Sequence, residues 1–286
     1  AAKKNTQQIT KAMKLVSAAK LRKAQHNIVN MRPYALALQQ VIADIALTQK
    51  VTHPLMEPKA EVRKVLLVVL TSDRGLAGAF NSNILKFTEQ YYRENRNRYE
   101  AIDFLAIGRR ANDFLIKRGL KPVHTVTRLD KDISYELAAG ISKRLLNTYL
   151  EGEYDEVRII YNEFKNALTQ KVVCETLLPI DLTKSSFQAD GNDRHREPGF
   201  SVDLIFEPSA QEIVEQLLVK NFDLQVYRTM SESVAGEHGA RMTAMENATN
   251  NAQTVVRSLS LTYNKLRQDK ITRELIEITS GAEALK

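Results

Sequence analysis

Apolar side chains near the start of the chain recur at alternating steps of three and four residues. The first run is Ile9, Met13 and Val16, continued in step by Lys20, and the second is Ile28, Met31, Ala35, Leu38, Ile42 and Ile45. This spacing predicts one helix from about Thr6, as N-cap, to Leu47, with a coiled-coil seam along it. The runs join through Ala24 by extra four-residue steps, a stutter that locally unwinds a supercoil. Pro33 lies inside the pattern and should kink or weaken the helix.

The end of the chain carries a longer version of the same pattern. A heptad series extends over Met242, Met245, Thr249, Ala252, Val256, Leu259, Tyr263 and Leu266. It predicts a helix that follows Pro208 and runs from Ser209 to about Ser280, with Gly236 and Gly239 as its weak positions. A long helix with an apolar stripe needs a partner helix to cover that stripe. The two terminal helices are therefore predicted to pair antiparallel as a stalk.

Between these helices the period changes, and short apolar runs alternate with amphipathic segments. Lys64 to Leu70 is a continuous run of β-branched and leucine residues, which is typical of a strand buried on both faces. Further strands are predicted at residues 102–107, 123–126, 157–161 and 171–178, and helices at residues 81–96, 109–118 and 134–150. Strands that alternate with helices indicate a mostly parallel, Rossmann-like α/β domain.

The segment after these strands is polar. Residues 183–200 are rich in Asp, Arg and Ser and predict a loop, and residues 201–206 predict a last strand at a sheet edge. The predicted domains are a coiled-coil helix over residues 1–50, a globular α/β domain over residues 60–207 and a second coiled-coil helix over residues 209–286. The fold class is therefore α/β, with a long antiparallel coiled coil of the terminal helices beside a central Rossmann-like domain.

The net charge of +7 comes from 41 basic and 34 acidic residues, and its placement is uneven. No acidic residue precedes Asp44, whereas that segment holds Lys3, Lys4, Lys11, Lys14, Lys20, Arg22, Lys23 and Arg32. A helix of one sign either faces solvent or binds an acidic partner, which is a nucleic acid, an anionic lipid or an acidic protein surface. The C-terminal tail mixes both signs closely, which suits a protein groove better than a phosphate backbone.

Residues that carry chemistry form no persuasive active site. Gly75-x-x-Gly78 follows the first strand but matches neither the dinucleotide fingerprint nor the P-loop, so a tight turn capped by Asp73 or Asn81 fits better. The histidines show no metal-ligand spacing. Cys174 follows two valines and is predicted to be a small buried side chain of a strand. No apolar run is long enough to span a bilayer, and the first residues lack the apolar core of a signal peptide.

Four stretches of the chain are highly specific in their order of residues. They are NTQQITKAMKLVSAAK (5–20), TSDRGLAG (71–78), ARMTAMENA (240–248) and ITRELIEITSGA (271–282). Together they closely resemble the gamma subunits of F-type ATP synthase, and the likeness covers the chain in the right order. The resemblance also implies that the family N-terminus lies several residues before residue 1 of this chain.

The resemblance implies the central rotor stalk of a proton-translocating ATP synthase. In the family, the terminal helices form a shaft that turns inside a hexamer of alpha and beta subunits, and the globular domain lies on the ring of c subunits beside epsilon. ATP chemistry takes place on beta, so the family pattern gives this chain no catalytic residue, cofactor or metal. The basic face of Lys11, Lys14, Lys20 and Lys23 is expected to meet an acidic segment of beta.

The same resemblance assigns individual contacts. Besides Lys14, the positions that match contacts to beta are Met13, Arg241, Gln268, Thr272, Glu274 and Glu277. The region near epsilon and the c ring is matched by residues 201–206, with Val202, Leu204 and Phe206. The expected location is the cytoplasmic face of a bacterial plasma membrane, reached only through the complex and without nucleic acid. The matrix side of the mitochondrial inner membrane is the alternative.

Two other classes of function stay open from the residues alone. One is a free-standing α/β nucleotide-binding enzyme with helical oligomerisation arms, in which Gly75 and Gly78 would lie at the phosphates. The other is a basic helical protein that binds duplex DNA in a salt-dependent manner. Binding of Mg²⁺-ATP by the isolated chain would favour the first, and binding to DNA would favour the second.

Overall fold

The computed structural model describes residues 2–127, 133–166, 169–181, 206–207 and 209–284. Its elements are α1 (Ala2–Gln49), β1 (Lys64–Leu70), α2 (Phe80–Asn95), β2 (Ala101–Ile107), α3 (Arg109–Lys117), β3 (His124–Val126), α4 (Tyr135–Leu150), β4 (Glu156–Phe164), β5 (Gln170–Leu178) and α5 (Ala210–Ala284). These elements confirm the helices and strands predicted within the described residues, with ends that differ by a few positions. The predicted loop at 183–200 and all but Phe206 of the predicted last strand lie outside the described residues.

The terminal helices α1 and α5 lie side by side in opposite directions. At one end, the hydroxyl of Thr249 donates to Oγ1 of Thr10 at 2.8 Å. At the other end, Nε2 of Gln211 donates at 3.1 Å to the carbonyl oxygen of Thr52, just after α1. Low residue numbers of one helix therefore meet high numbers of the other, which confirms the predicted antiparallel pairing.

The covered side of α1 follows an unbroken heptad, which we call the seam. Its members are all buried or half-buried: Ser17, Leu21, Ala24, Ile28, Met31, Ala35, Leu38, Ile42 and Ile45. Near the N-terminal end of the seam, Ala24 clusters with Ala235 of α5. Small side chains at such a contact let two helix axes approach closely, so these residues set the register there.

The first run of the predicted seam is wrong. The side chains of Ile9 and Val16 are 59% and 58% exposed, and Lys20 is exposed as well. The buried position is Ser17, one residue farther along, so the heptad passes through Ala24 without a stutter. Apolar character misled the prediction, because the helices meet here through small side chains rather than through the largest apolar ones.

Helix α1 also departs from the prediction at its N-terminus. It begins at Ala2, and the hydroxyl of Thr6 donates to the carbonyl oxygen of Ala2 at 3.1 Å, so Thr6 lies inside the helix and is not its N-cap. The helix continues through Pro33, which is exposed. Met31 and Ala35 on either side are buried in the core, and this packing keeps the helix continuous despite the lost hydrogen bond.

Five strands form one sheet in the order β3-β2-β1-β4-β5. β1 is parallel to β2 and β4, and β2 is parallel to β3, whereas β5 runs antiparallel to β4. The direction of strand order reverses at β1, as it does where the two halves of a dinucleotide-binding fold meet. The sheet therefore confirms the mostly parallel, Rossmann-like α/β class.

Helices cover both faces of this sheet. α2 and α3 pack on one face through a cluster that includes Ile84 and Leu115. The other face packs against α4 and the stalk, in a larger cluster that joins Tyr161 of β4 to Ile42 of α1 and Phe222 of α5. The stalk and the α/β domain therefore share one hydrophobic core.

Within the described residues, α5 is longer than α1, with 75 residues against 48. The difference corresponds to roughly 40 Å of helix. Every side chain from residue 257 to residue 281 is exposed, and we call this stretch the projecting segment. Leu259, Tyr263 and Leu266 are 54%, 66% and 61% exposed. The structure therefore contradicts the prediction that these three side chains pack in the coiled coil.

Candidate partner-binding surfaces

A groove lies where the stalk meets the carboxyl end of β1. It has a volume of about 500 Å³ and lies between α1, the loop after β1 and α5. Its apolar lining includes Ile9, Met13, Val16, Leu76 and Val234, and its charged lining includes Lys20, Lys23, Arg74, Glu237 and Arg241. The apolar side chains that the prediction placed in the seam thus line an open groove instead.

Leu76 is the most unusual residue of the groove. Its φ of +62° lies in the left-handed region, which a leucine rarely adopts. Its side chain is nevertheless 66% exposed, so the strained turn holds a large apolar group in solvent. Strained, exposed residues cluster at functional sites, and Leu76 therefore makes this groove a candidate binding surface. Sequence reasoning missed it, although a leucine between two glycines of a polar loop was an available signal.

Hydrogen bonds fix the loop that carries Leu76. Oδ1 of Asp73 accepts from the backbone amide of Arg109 at 2.8 Å. Oδ1 of Asn81 accepts from the backbone amide of Ser72 at 3.0 Å. The predicted capping residue Asp73 thus serves α3 and not the helix that directly follows the loop. The carboxylate of Asp73 already occupies the N-terminus of α3, so that terminus is not open to a phosphate.

Arg241 holds the loop against α5. Its Nη2 donates to the carbonyl oxygen of Gly75 at 3.2 Å and lies 2.6 Å from Oε1 of Glu237. The two charged side chains are only 10% and 16% exposed. Burial raises the pKa of Glu237, and the guanidinium of Arg241 opposes that rise. The glycine loop therefore packs against α5 through the carbonyl oxygen of Gly75.

The residues matched to contacts with beta fall into two groups. Met13 lines the groove on α1 and Arg241 lines it on α5. Lys14, the next residue after Met13, lies outside the groove lining, with Nζ 2.6 Å from Oε1 of Glu246. The other group is exposed on the projecting segment and consists of Gln268, Thr272, Glu274 and Glu277. Gln268 lies roughly 40 Å along the helix from Arg241. The structure therefore separates these residues into two surfaces rather than one site.

The residues matched to epsilon and the c ring lie mostly outside the described part of the chain. Val202 and Leu204 are not described. Phe206 is half-buried and packs against the large core cluster. It precedes α5, so it lies near the end of the stalk opposite to the projecting segment.

Other candidate chemistry is sparse. Among the residues that the structure describes, no group of three or more His, Cys, Asp or Glu could hold a metal ion. Cys174 lies half-buried in β5, and burial raises the pKa of its thiol to about 11, so it is not a reactive thiolate at neutral pH. Over the same ranges, no helix has the length and the apolar character needed to cross a membrane.

These features define a class of stalk proteins, in which paired terminal helices carry an α/β domain at one end and a projecting helix at the other. A family model described as ATP synthase matches residues 1–285. The chain is 67% identical over 283 residues to the ATP synthase gamma chain of Bdellovibrio bacteriovorus, covering 99% of this chain and 95% of that relative. The chain belongs to the family of ATP synthase gamma chains.

Other comparisons agree with this assignment. The ATP synthase gamma chain of Anaeromyxobacter sp. is 46% identical over 287 residues, which cover 99% of this chain and 95% of the relative. A chain of the central stalk and c ring of Tetrahymena thermophila mitochondrial ATP synthase matches with a TM-score of 0.62 and 27% identity, over 84% of this chain and 99% of that one. A chain of Euglena gracilis mitochondrial ATP synthase shares the fold, with a TM-score of 0.57, 21% identity and coverage of 96% and 95%. As a member of this family, the chain is a rotor-stalk subunit of F-type ATP synthase.

Proposed function

We propose that this chain is the shaft that couples rotation of a c-subunit ring to ATP synthesis or hydrolysis on beta subunits. The observation that carries the proposal is the projecting segment. Its large apolar side chains are exposed, namely Leu259, Leu261, Tyr263, Leu266, Ile271, Leu275, Ile276 and Ile278. A single helix with so much exposed apolar surface is suited to a site inside a partner.

The distribution of these side chains favours a hollow partner over a flat one. Successive helical residues are about 100° apart, so Leu259 and Leu261 point to nearly opposite sides of α5. A flat partner would cover only one of them. A ring of alpha and beta subunits around the segment would cover both.

The groove supplies the asymmetry that a drive shaft needs. A rotor can change a beta subunit only if it binds the conformations of beta with different free energies. The basic side chains of Lys20, Lys23 and Arg74 and the exposed Leu76 lie on one side of the stalk, beside Met13. We propose that an acidic segment of beta meets this side once in each turn.

The proposal assigns a role to each segment of the chain. Residues 1–50 and 209–286 form the shaft, and residues 60–207 attach it to epsilon and the c ring through the region of Val202, Leu204 and Phe206. The chain itself is non-catalytic, since ATP chemistry takes place on beta. Bacterial relatives support a location at the cytoplasmic face of the plasma membrane, reached through the complex.

Paired substitutions in the projecting segment test this function. Leu266→Asp places a charge where we expect an apolar contact, and Asn264→Asp places the same charge two residues away at a polar, exposed position. We expect both chains to fold with wild-type helicity, measured by circular dichroism. In membrane vesicles, only Leu266→Asp should lose ATP-driven proton pumping. Wild-type pumping by the Leu266→Asp complex would contradict the proposal.

A further inference from the structure

A buried group of polar side chains joins α5 to the sheet, and we call it the Arg228 cluster. Nη2 of Arg228 lies 2.6 Å from Oε1 of Glu175 on β5, and Nη1 lies 3.2 Å from Oε1 of Glu232 on α5 itself. Nη1 also donates to the hydroxyl of Tyr161 on β4 at 3.1 Å. That hydroxyl donates in turn to Oε2 of Glu175 at 3.0 Å. One guanidinium thus links the helix to two neighbouring strands.

Most of the Arg228 cluster is shielded from water, although the side chain of Glu175 is 26% exposed. The side chain of Arg228 is 6% exposed and that of Glu232 is 14% exposed. Burial raises the pKa of Tyr161 and of Glu232, although Arg228 opposes both rises. Removing such charges from water costs about as much as their attraction returns, so buried ion clusters add little net stability. Stability alone therefore does not account for a guanidinium at this position.

The Arg228 cluster can fix the angle between α5 and the sheet, which the surrounding apolar contacts restrain only weakly. Around it, α5 meets the sheet through apolar side chains such as Phe222 and Met230. Apolar contact has no preferred direction, so it resists separation better than it resists small rotations. A planar guanidinium satisfies its partners in one arrangement only, and here those partners lie on β4, β5 and α5.

We propose that the Arg228 cluster is the joint that transmits torque between the α/β domain and the shaft, with Arg228 as its positioning residue. The inference rests on the proposed function, because the angle between domain and shaft matters only in a rotor. It assigns the cluster to torsional stiffness and not to folding. Removing the whole cluster should therefore soften the rotor while leaving its assembly intact.

Three variants of the assembled ATPase separate stiffness from stability. Arg228→Met removes the guanidinium but leaves the carboxylates of Glu232, which is largely buried, and Glu175, which is half-buried, without it. The triple variant Arg228→Met, Glu175→Met, Glu232→Met removes every charge of the cluster, and replacing a buried ion cluster by apolar side chains of similar volume is often neutral for folding. Arg93→Met is the matched control, since Arg93 of α2 pairs with Glu89 at the surface and is 69% exposed.

The measurement combines pumping with single-molecule rotation. A bead is attached through Ser82→Cys, an exposed position of α2, and its angular fluctuation is recorded while the shaft is stalled in the hexamer. We expect the triple variant to hydrolyse ATP at the wild-type rate, with wider angular fluctuation and fewer protons pumped per ATP. Arg93→Met should match the wild type in all three quantities.

Two results would overturn the inference. One is a triple variant with unchanged angular fluctuation and unchanged pumping per ATP. The other is a triple variant that fails to assemble while Arg93→Met assembles, because the cluster would then serve folding. A wild-type complex that hydrolyses ATP without rotation or pumping would instead count against the rotor function itself, so the two failures are distinguishable.

Discussion

The two halves of α5 share one sequence pattern but differ in what surrounds them. From Ala210 to Val256 the helix lies against α1 and the sheet, and Val214, Phe222 and Met230 are fully buried. In the projecting segment every side chain is exposed. Both halves carry apolar residues at heptad spacing. Periodicity therefore shows which side of a helix is apolar, but not which molecule covers that side.

The two halves of α5 therefore contribute differently to stability. A fully buried aliphatic or aromatic side chain contributes about 1.5–3 kcal/mol by leaving water. The packed half of α5 has many such side chains and holds the chain together. The projecting segment has only local helical interactions, which are marginal for an isolated helix in water. Its apolar side chains are therefore available to stabilise a complex rather than the free chain.

The largest expected effect on the free energy of unfolding comes from truncating a buried apolar side chain, compared with truncating an exposed one. Ile42→Ala empties a position of the seam that is fully buried, and it should lower the free energy of unfolding by about 3 kcal/mol. Leu259→Ala, at a 54% exposed position, should change it by no more than about 0.5 kcal/mol. Denaturant unfolding of the isolated chains measures both. Equal losses of unfolding free energy would contradict the proposed difference between the packed and projecting parts of the stalk.

A smaller effect on stability depends on pH and arises at Asp155, just before β4. Burial raises the pKa of Asp155, but hydrogen bonds from Lys59 and from the backbone amides of Lys64 and Arg63 outweigh it and lower the pKa to about 2. The pKa of an unfolded aspartate is about 3.9, so this stabilisation is present above pH ~4 and is lost as the pH falls toward ~2. Asp155→Asn should remove that part of the pH dependence. Identical acid unfolding curves for the two chains would refute the assignment.

The smallest effect on folding is expected at the ion pair of Lys14 and Glu246. Their side chains are 35% and 47% exposed, so Glu246→Gln should lower the free energy of unfolding by no more than about 0.5 kcal/mol. Lys14→Met should be as mild in the isolated chain but should impair proton pumping more than Glu246→Gln, because only Lys14 is assigned to beta. Equal pumping by the two variants would remove Lys14 from the contact surface.

Much of the fold was predictable because local and global preferences agree. The run from Lys64 to Leu70 is apolar enough to be a central strand and forms one. The seam from Met31 to Ile45 follows a strong apolar repeat and is buried as predicted. Farther toward the N-terminus the repeat is weak, and Ser17 replaces Val16 at the buried position. There the fit between small side chains decides the register, and apolar periodicity does not report that fit.

The surfaces were less predictable than the fold. Met13 and Arg241 were found through the resemblance, and the structure places both at the groove. The exposure of Leu76 depends on a backbone angle that its neighbours impose. The ion pairs of Arg228 depend on which strand residues lie opposite it. Such properties arise from contacts between segments far apart in the chain, so the spacing of residues alone does not reveal them.

The central claim is that the packed half of α5 folds the chain while the projecting segment needs a partner. Amide hydrogen exchange tests it most directly, in the isolated chain and in the assembled ATPase. The account predicts that amides of residues 210–256 are protected in both, whereas those of residues 257–281 exchange rapidly in the isolated chain and become protected in the complex. Equal protection of residues 257–281 in the two samples would contradict it.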